Sequence, residues 1–436
     1  MRKTSINREI LALAIPNILS NLSVPLLSTV DTLLMGRLSV LHIGAVGVGS
    51  MIFNFIYWNF GFLRMGTTGM AAQAYGASNS PAVIHTLGRA VLLALLLGGL
   101  IWLLQGPLGR LGFYLMNVDG DQYELVQTYF NVRIWAAPAT LALYALMGWF
   151  FGMQNAIYPL ILTIFINLVN IVLSYWLVWV KGMEVAGVAW GTVLAQYAGL
   201  ALAVGLFFFK YRHLLGHFQR QALWAIEAFG HFLRVNWDIF LRTLCLTFVF
   251  GFFYSRSSAA GATILAINTI LQQFISWMSF AVDGFAFASE SLVGKYKGAR
   301  DAVRLQASIH YSFVWGMGLA LLFSLVFWVY GEALMWVFTD EGPLVADSLD
   351  YMIWVILFPI IGTPCYVWDG IFIGLTASRA MRDSMVLSFA VFLGAYFALS
   401  ASYGNHGLWA ALLIFMAARG LFQWWWYVRK GSFGMD

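Results

Sequence analysis

Charge is what this chain has least of. Asp, Glu, Lys and Arg supply 10% of its 436 residues, where a soluble domain of ordinary composition carries about 25%. With 61% hydrophobic residues and a mean hydropathy of +0.79, that deficit excludes a water-soluble globular chain. Cysteine is nearly absent. Cys245 and Cys365 both lie within apolar runs, which excludes a disulfide framework and a thiolate metal site. There is no GxxxxGK[ST] loop, no HExxH and no cluster of Cys and His, so phosphate-cradling and zinc-hydrolase chemistry are not indicated. No soluble stretch is large enough for a nucleotide-binding domain. Any transport must then draw on an ion gradient or a partner. His42, His85, His310 and His406 are scattered without acidic neighbours, which counts against a membrane-embedded lipid transferase and against an enzyme generally.

What the chain does have is length of apolar run. Twelve candidate helices can be drawn, roughly 9–36, 44–72, 83–105, 124–150, 157–180 and 186–209, then 231–254, 262–290, 306–330, 347–374, 384–403 and 407–428. Apolar runs of span length, roughly 20 residues each, recur along the whole chain and define an all-α polytopic membrane protein. The polar, basic connector Lys210–Gly230 separates two sets of six, so the expected domains are 1–215 and 216–436, each a six-helix bundle. The net charge of +5 is a topology marker rather than a nucleic-acid signal. Arg2, Lys3 and Arg8 precede helix 1; Lys210, Arg212 and Arg220 follow helix 6; Lys295, Lys297, Arg300 and Arg304 follow helix 8; Arg379 and Arg382 follow helix 10; Arg429 and Lys430 come last. Acidic residues dominate the opposite loops. Both termini are therefore expected in the cytoplasm, consistent with an even number of spans. Met1-Arg-Lys has the look of a signal peptide. The run behind it is too long, carries Asp31 and lacks a small-residue cleavage site, so it is expected to be retained.

The two sets repeat. AYGA at 74–77 matches KYKGA at 295–299, and GWFFGMQNA resembles DGIFIGLTA, so the offset from Gly76 to Gly298 equals that from Gly152 to Gly374. AGVAWGTVLAQ then parallels HGLWAALLIFM with a shift of two. Six spans per half make the repeats parallel, related by a pseudo-two-fold along the membrane normal. That architecture suits transporters that rock two bundles about a central cavity, more than enzymes or passive channels.

Polar residues at membrane depth mark the candidate site. Asp31 lies inside the first apolar run, six residues after the helix-breaking Pro25, and an intramembrane carboxylate costs roughly 2.5–3.5 kcal/mol on insertion scales. A kinked helix bearing a titratable group is a plausible moving part; the plainer reading is a packing Asp that caps a broken helix. Asn167, Asn170 and Ser174 share one face of helix 5 and Thr192 and Gln196 one face of helix 6. With Asp31 they would form a small oxygen-rich pocket, suited to a protonatable carboxylate or to a hard cation; as a plain structural feature they are interhelical glue. In the second half Asp238 and Arg242 stand at i, i+4 and are expected to pair. Asp283 and Glu290 share a face of helix 8, Glu290 as a contact for nearby basic residues, and Asp369 beside Gly370 is the strongest coupling candidate of that half. Asn54, Tyr57 and Asn167 are candidate cavity residues, with packing as the default reading.

VPLLSTVDTLLMGRL, NWDIFLRTL and VDGFAFASESLVGKYKGA resemble the multidrug and toxic compound extrusion (MATE) transporters, and most of all their DNA-damage-inducible F (DinF)-like branch. The resemblance spans the full length. It implies a V-shaped pair of bundles exchanging H⁺ or Na⁺ inward for organic cations outward. It also implies that Asp31 is the coupling acid and that Asn170 and Thr192 complete its pocket, where Na⁺ would sit if it is the coupling ion. One departure stands out: many relatives carry a second acid four residues after the asparagine, and here that position is Ser174. One carboxylate fewer weakens Na⁺ binding, so H⁺ is favoured over Na⁺. The expected function is secondary active multidrug efflux by cation antiport and alternating access, with a lipid-linked precursor flippase or a lipid transferase as alternatives. A flippase for a polyanionic headgroup would want more than Arg64, Arg133 and Arg242 at depth. No cofactor is expected. The expected partners are small organic cations or drugs and membrane lipid, with no nucleic acid, in a monomer. The expected location is the inner (cytoplasmic) membrane.

Overall fold

A computed structural model describes residues 5–36, 39–118, 120–223 and 225–429, and for 24–36, 40 and 226 it describes the backbone alone. These residues form sixteen α-helices, with no strand among them. They are α1 (Ile6–Gly36), α2 (Val40–Asn59), α3 (Phe62–Gly76), α4 (Ser80–Leu103), α5 (Gln105–Leu115), α6 (Tyr123–Arg133), α7 (Ala137–Gly152) and α8 (Ile157–Tyr175). The rest are α9 (Glu184–Tyr211), α10 (Arg220–Leu223), α11 (Ile226–Ala259), α12 (Ala262–Gly298), α13 (Ala302–Met335), α14 (Gly342–Leu349), α15 (Met352–Gly374) and α16 (Ser378–Arg429). The short α5 and α10 lie in segments that read largely as loop from sequence, and α14 overlaps the start of the expected helix 10 at 347.

Ten helical runs among the described residues are long and apolar enough to cross a membrane. The run α16 has 52 residues, about 78 Å of helix at 1.5 Å per residue, far more than one crossing of about 30 Å needs. It is bent at Gly404, where φ is 52°, so it supplies the expected helices 11 and 12. With α1, an apolar helix of 31 residues, twelve spans result. The expected helix 2 is α2 and α3 joined at Phe60–Gly61, and the expected helix 4 is α6 and α7 joined by a 3-10 turn at Ile134–Ala136.

The chain packs as two compact units. One is Leu19–Leu233; the other gathers the residues up to Ile18 with those from Arg234 onward. The expected halves at 1–215 and 216–436 follow the sequence repeat, whereas the units follow packing and exchange the segments 1–18 and 216–233. The head of α1 joins the second unit for identifiable reasons. Glu9 Oε2 accepts from Lys295 Nζ at 2.9 Å and from Tyr296 Oη at 2.5 Å. Asn7 Oδ1 accepts from Trp315 Nε1 at 3.2 Å. Gly284 of α12 lets α1 approach so closely that a Cβ there would stand 3.0 Å from the Ala14 carbonyl oxygen.

Each unit repeats the other's local devices at the offset of the sequence repeat. Ser78 (φ 53°) and Arg300 (φ 54°) end α3 and α12 in the left-handed region, and Gln154 (φ 59°) and Thr376 (φ 49°) do the same after α7 and α15. The next helices begin on Asn79 and Asp301, whose side chains accept from Ala82 N and Arg304 N, each at 3.0 Å, satisfying donors a helix start leaves open. In the first unit α7 lies so close to α3 that a Cβ on Gly152 would stand 2.9 Å from Thr68 O; in the second, a Cβ on Gly374 of α15 would stand 2.7 Å from Glu290 O of α12. The shift of two also has a place. Gly187 packs against Leu177 and Val178, whereas its counterpart Gly407 packs against Leu399 and Ser400. The second turn is shorter by two.

Candidate functional site

In the first unit Ser20 and Ser23 of α1 meet one face of α8. Ser20 Oγ donates to Thr163 Oγ1 at 2.8 Å, and Asn167 Nδ2 donates to Ser23 Oγ at 3.2 Å. Thr163, Asn167, Asn170 and Ser174 recur at spacings of four, three and four, so they form one stripe. Further along it, Asn170 Nδ2 donates to Thr192 Oγ1 of α9 at 2.9 Å, and that hydroxyl donates to Val188 O at 3.0 Å. Asn170 and Ser174 are wholly buried and Thr192 is 7% exposed. The close crossing of α8 and α9 depends on Gly191, where a Cβ would stand 2.8 Å from Ser174 N.

Two oxygens of this cluster are unsatisfied. Asn170 Oδ1 and Ser174 Oγ are buried and find no hydrogen-bond partner among the described residues, a state that calls for a donor or a cation nearby. The side chains of Pro25 and Asp31 lie outside the described residues, although the backbone of α1 is helical through both. Of the candidate cavity residues, Asn54 is exposed, Tyr57 is buried and Asn167 is half-buried against Ser23. Among the described residues no three His, Cys, Asp or Glu side chains gather in a metal-ligating group.

The second unit handles its acids differently. Asp238 and Arg242 do not pair, as i, i+4 spacing had suggested. Asp238 Oδ1 accepts from Arg382 Nη1 at 2.7 Å and its Oδ2 from Ser378 Oγ at 2.9 Å, both on α16. Arg242 pairs instead with Asp369 of α15. Asp369 accepts also from Arg419 Nη2 at 2.7 Å and from Gln423 Nε2 at 2.6 Å. The physical reason is direction: α15 and α16 present opposite charges to α11, and those contacts win over a neighbour on the same helix. Arg382 was read from sequence only as a topology marker, and Arg419 and Gln423 were not singled out. The signal available was an arginine and a glutamine at i, i+4 inside an apolar span, where a buried cation demands an acid. Asp283 is half-buried on α12 within electrostatic reach of Tyr366, and Glu290 lies 1% exposed. Lys295, one of the basic residues expected beside Glu290, pairs with Glu9.

Known proteins match this arrangement along nearly all of its length. "DNA damage-inducible protein F" of Escherichia coli (strain K12) is 38% identical over 427 residues, covering 96% of this chain and 91% of that protein. "Multidrug and toxin extrusion protein 1" of Xenopus tropicalis is 25% identical over 427 residues, covering 95% and 73%. A crystal structure of a MATE in the bent conformation superposes with a TM-score of 0.89 at 19% identity, covering 98% of this chain and 96% of that one, and so shares the fold. The MatE family model matches twice, at residues 16–176 and again at 239–400, once per repeat. The chain therefore belongs to the MatE family of multidrug and toxic compound extrusion transporters.

Proposed function

We propose that this chain is a secondary antiporter that admits H⁺ in exchange for organic, mostly cationic, lipophilic compounds, by alternating access. As a member of a transporter family it is not an enzyme, so the lipid-transferase alternative falls away. The observation that carries the reading is the buried pair Asn170 Oδ1 and Ser174 Oγ, left without a hydrogen-bond partner among the described residues on the face of α8 that Ser20 and Ser23 of α1 meet. The contacts Ser20–Thr163 and Asn167–Ser23 set sequence separations of 143 and 144 between α1 and α8. We take the same register to hold for two more turns of α1, which would set position 31 level with positions 174–175. A protonated carboxyl at that level donates one hydrogen bond, which one of the two oxygens accepts. Loss of the proton withdraws that donor and leaves the Asn170 Oδ1 acceptor facing an anion, to which the Ser174 hydroxyl would instead donate, so the two states favour different packings of α1 about Pro25. A lipophilic cation then competes with the proton for the same carboxylate, and this negative coupling is reciprocal.

Ser174 in place of a second acid supports H⁺ over Na⁺, because ligand charge helps set cation affinity. The positive-inside distribution supports cytoplasmic termini, and a bacterial relative of 38% identity supports an inner-membrane location. We infer a monomer surrounded by lipid. The test is purified protein in liposomes, with a fluorescent cation as cargo and proton or sodium gradients imposed separately. Wild-type protein should respond to the proton gradient, and Asp31→Asn should fold but lose that response. Cargo movement against its gradient after a pH jump in Asp31→Asn overturns the proposal.

A further inference from the structure

The connector that follows α9 is basic, and the structure shows it to be strapped down rather than loose. From Val185 to Ile226 the sequence has no Asp or Glu, while Lys210, Arg212, His213, His217 and Arg220 fall close together. The connector leaves α9 through a 3-10 turn at Arg212–His217 and reaches α10 at Arg220. Its inner side is tied to α4. His85 Nε2 accepts from the Gln219 backbone N–H at 3.0 Å. Arg89 donates from Nη2 to Ala222 O at 2.6 Å and from Nε to Leu223 O at 3.4 Å. Leu223 sits so close to α4 that a Cβ on Gly88 would stand 2.6 Å from its Cδ2, and Leu214 is buried.

These hydrogen bonds use the backbone of the strap and leave its cations outside. Arg212, His213, His217 and Arg220 are all exposed, and among the described residues none of the four makes an ion pair. Lys210 is partly engaged, with its Nζ over the rings of Tyr158 and Tyr211. Phe208, Phe209 and Leu215 are exposed in the same stretch. Cations interleaved with large apolar side chains, at the end of a span, match a surface that is anionic above and apolar beneath, as phospholipid headgroups over acyl chains are. A soluble polyanion would meet the charges and leave the apolar side chains in water.

We propose that the strap at 212–223 is a docking surface for anionic phospholipid headgroups, with Arg212 and Arg220 as its fixed charges. Its place at the cytoplasmic leaflet rests on the proposed topology; the binding of the lipid does not, and neither rests on the efflux reading.

Dioctanoyl phosphatidylglycerol and dioctanoyl phosphatidylcholine share their chains and differ in headgroup charge, which makes them matched probes. Their binding to the purified full-length chain is read by native mass spectrometry from a neutral detergent. Wild-type protein should bind phosphatidylglycerol on the order of 10-fold more tightly, and the preference should shrink as ammonium acetate is raised, because the charges are exposed. Arg212→Gln and Arg220→Gln should each weaken phosphatidylglycerol about 5-fold and leave phosphatidylcholine unchanged. Arg300→Gln and Arg429→Gln remove exposed cations of the other unit and should change little. Equal affinity for the two lipids overturns the proposal and leaves the basic run a topology marker only. Equal weakening in the Arg300 and Arg429 variants overturns it in favour of net charge, and displacement of phosphatidylglycerol by equimolar glycerol phosphate overturns it in favour of a soluble phosphate ester. Asp31→Asn should keep the lipid preference, so failure of proton-coupled efflux and failure of the docking surface give different results.

Discussion

Arg419 of α16 donates to Asp369 Oδ2 at 2.7 Å, and Arg242 of α11 reaches the same oxygen. One carboxylate thus sits between two guanidiniums, with Gln423 on its other oxygen, and all four residues are at most 6% exposed. Protonating Asp369 would strand two buried cations, and the ring of Phe415 and the sulfur of Met416 beside Arg419 are weak substitutes for a carboxylate. An acid held in this way acts as a counter-ion that ties α11, α15 and α16 together.

Asp369→Asn keeps the shape and removes the charge. Breaking a buried pair by deleting one partner costs about 3–5 kcal/mol, so the variant should unfold at a clearly lower temperature in detergent. Adding Arg242→Met should recover part of that loss, because one stranded cation is then removed. The folded fraction should still export in response to a proton gradient. Unchanged stability combined with lost efflux would make Asp369 a coupling acid after all.

The repeat makes a second prediction. Alanine at Gly374 places a Cβ 2.7 Å from a backbone oxygen, and at Gly152 one at 2.9 Å, and neither oxygen belongs to a side chain that can swing away. Each substitution should cost about 1–3 kcal/mol, the usual range for overpacking. Gly205→Ala meets nothing within 4 Å and should be neutral or slightly stabilising, since alanine is the better helix former. Thermal unfolding of the three variants side by side checks the ranking.

The helices and the repeat were legible because each leaves a mark on local sequence. Apolar runs announce spans, and Gly152 and Gly374 must be glycine for the same steric reason in both units. Charge partners were less legible. Asp238 and Arg242 are neighbours on one helix, but their partners Arg382 and Asp369 are brought in by packing from far along the chain. The break expected between helices 11 and 12, at 404–406, falls at the bend of α16 at Gly404. The apolar run of α1 does not reveal that its head, as far as Ile18, packs with the second unit; that depends on Gly284 and Lys295, remote in sequence. At the candidate site, Asn170, Ser174 and Thr192 were readable as a polar stripe. That two of their oxygens lack hydrogen-bond partners among the described residues was not, because spacing shows which side chains share a face and not how their hydrogen bonds are spent.

Ser174→Asp tests the choice of ion directly. Asn170 contacts Thr192 of α9 and Ser174 follows one turn on along the same face of α8, where a carboxylate adds the negative charge that a hard cation needs. Gly191 leaves the room, since a Cβ there would crowd Ser174. An ion that binds only the folded state raises its stability. Sodium chloride, compared with choline chloride at equal ionic strength, should therefore raise the unfolding temperature of Ser174→Asp by about 3–5 °C, while wild-type protein responds alike to both salts. Adding Gly191→Ala should cancel the sodium response by closing the space beside position 174. A sodium-specific shift in wild-type protein as large as that in Ser174→Asp would mean that the existing oxygens already hold Na⁺, and the preference for H⁺ would have to be given up.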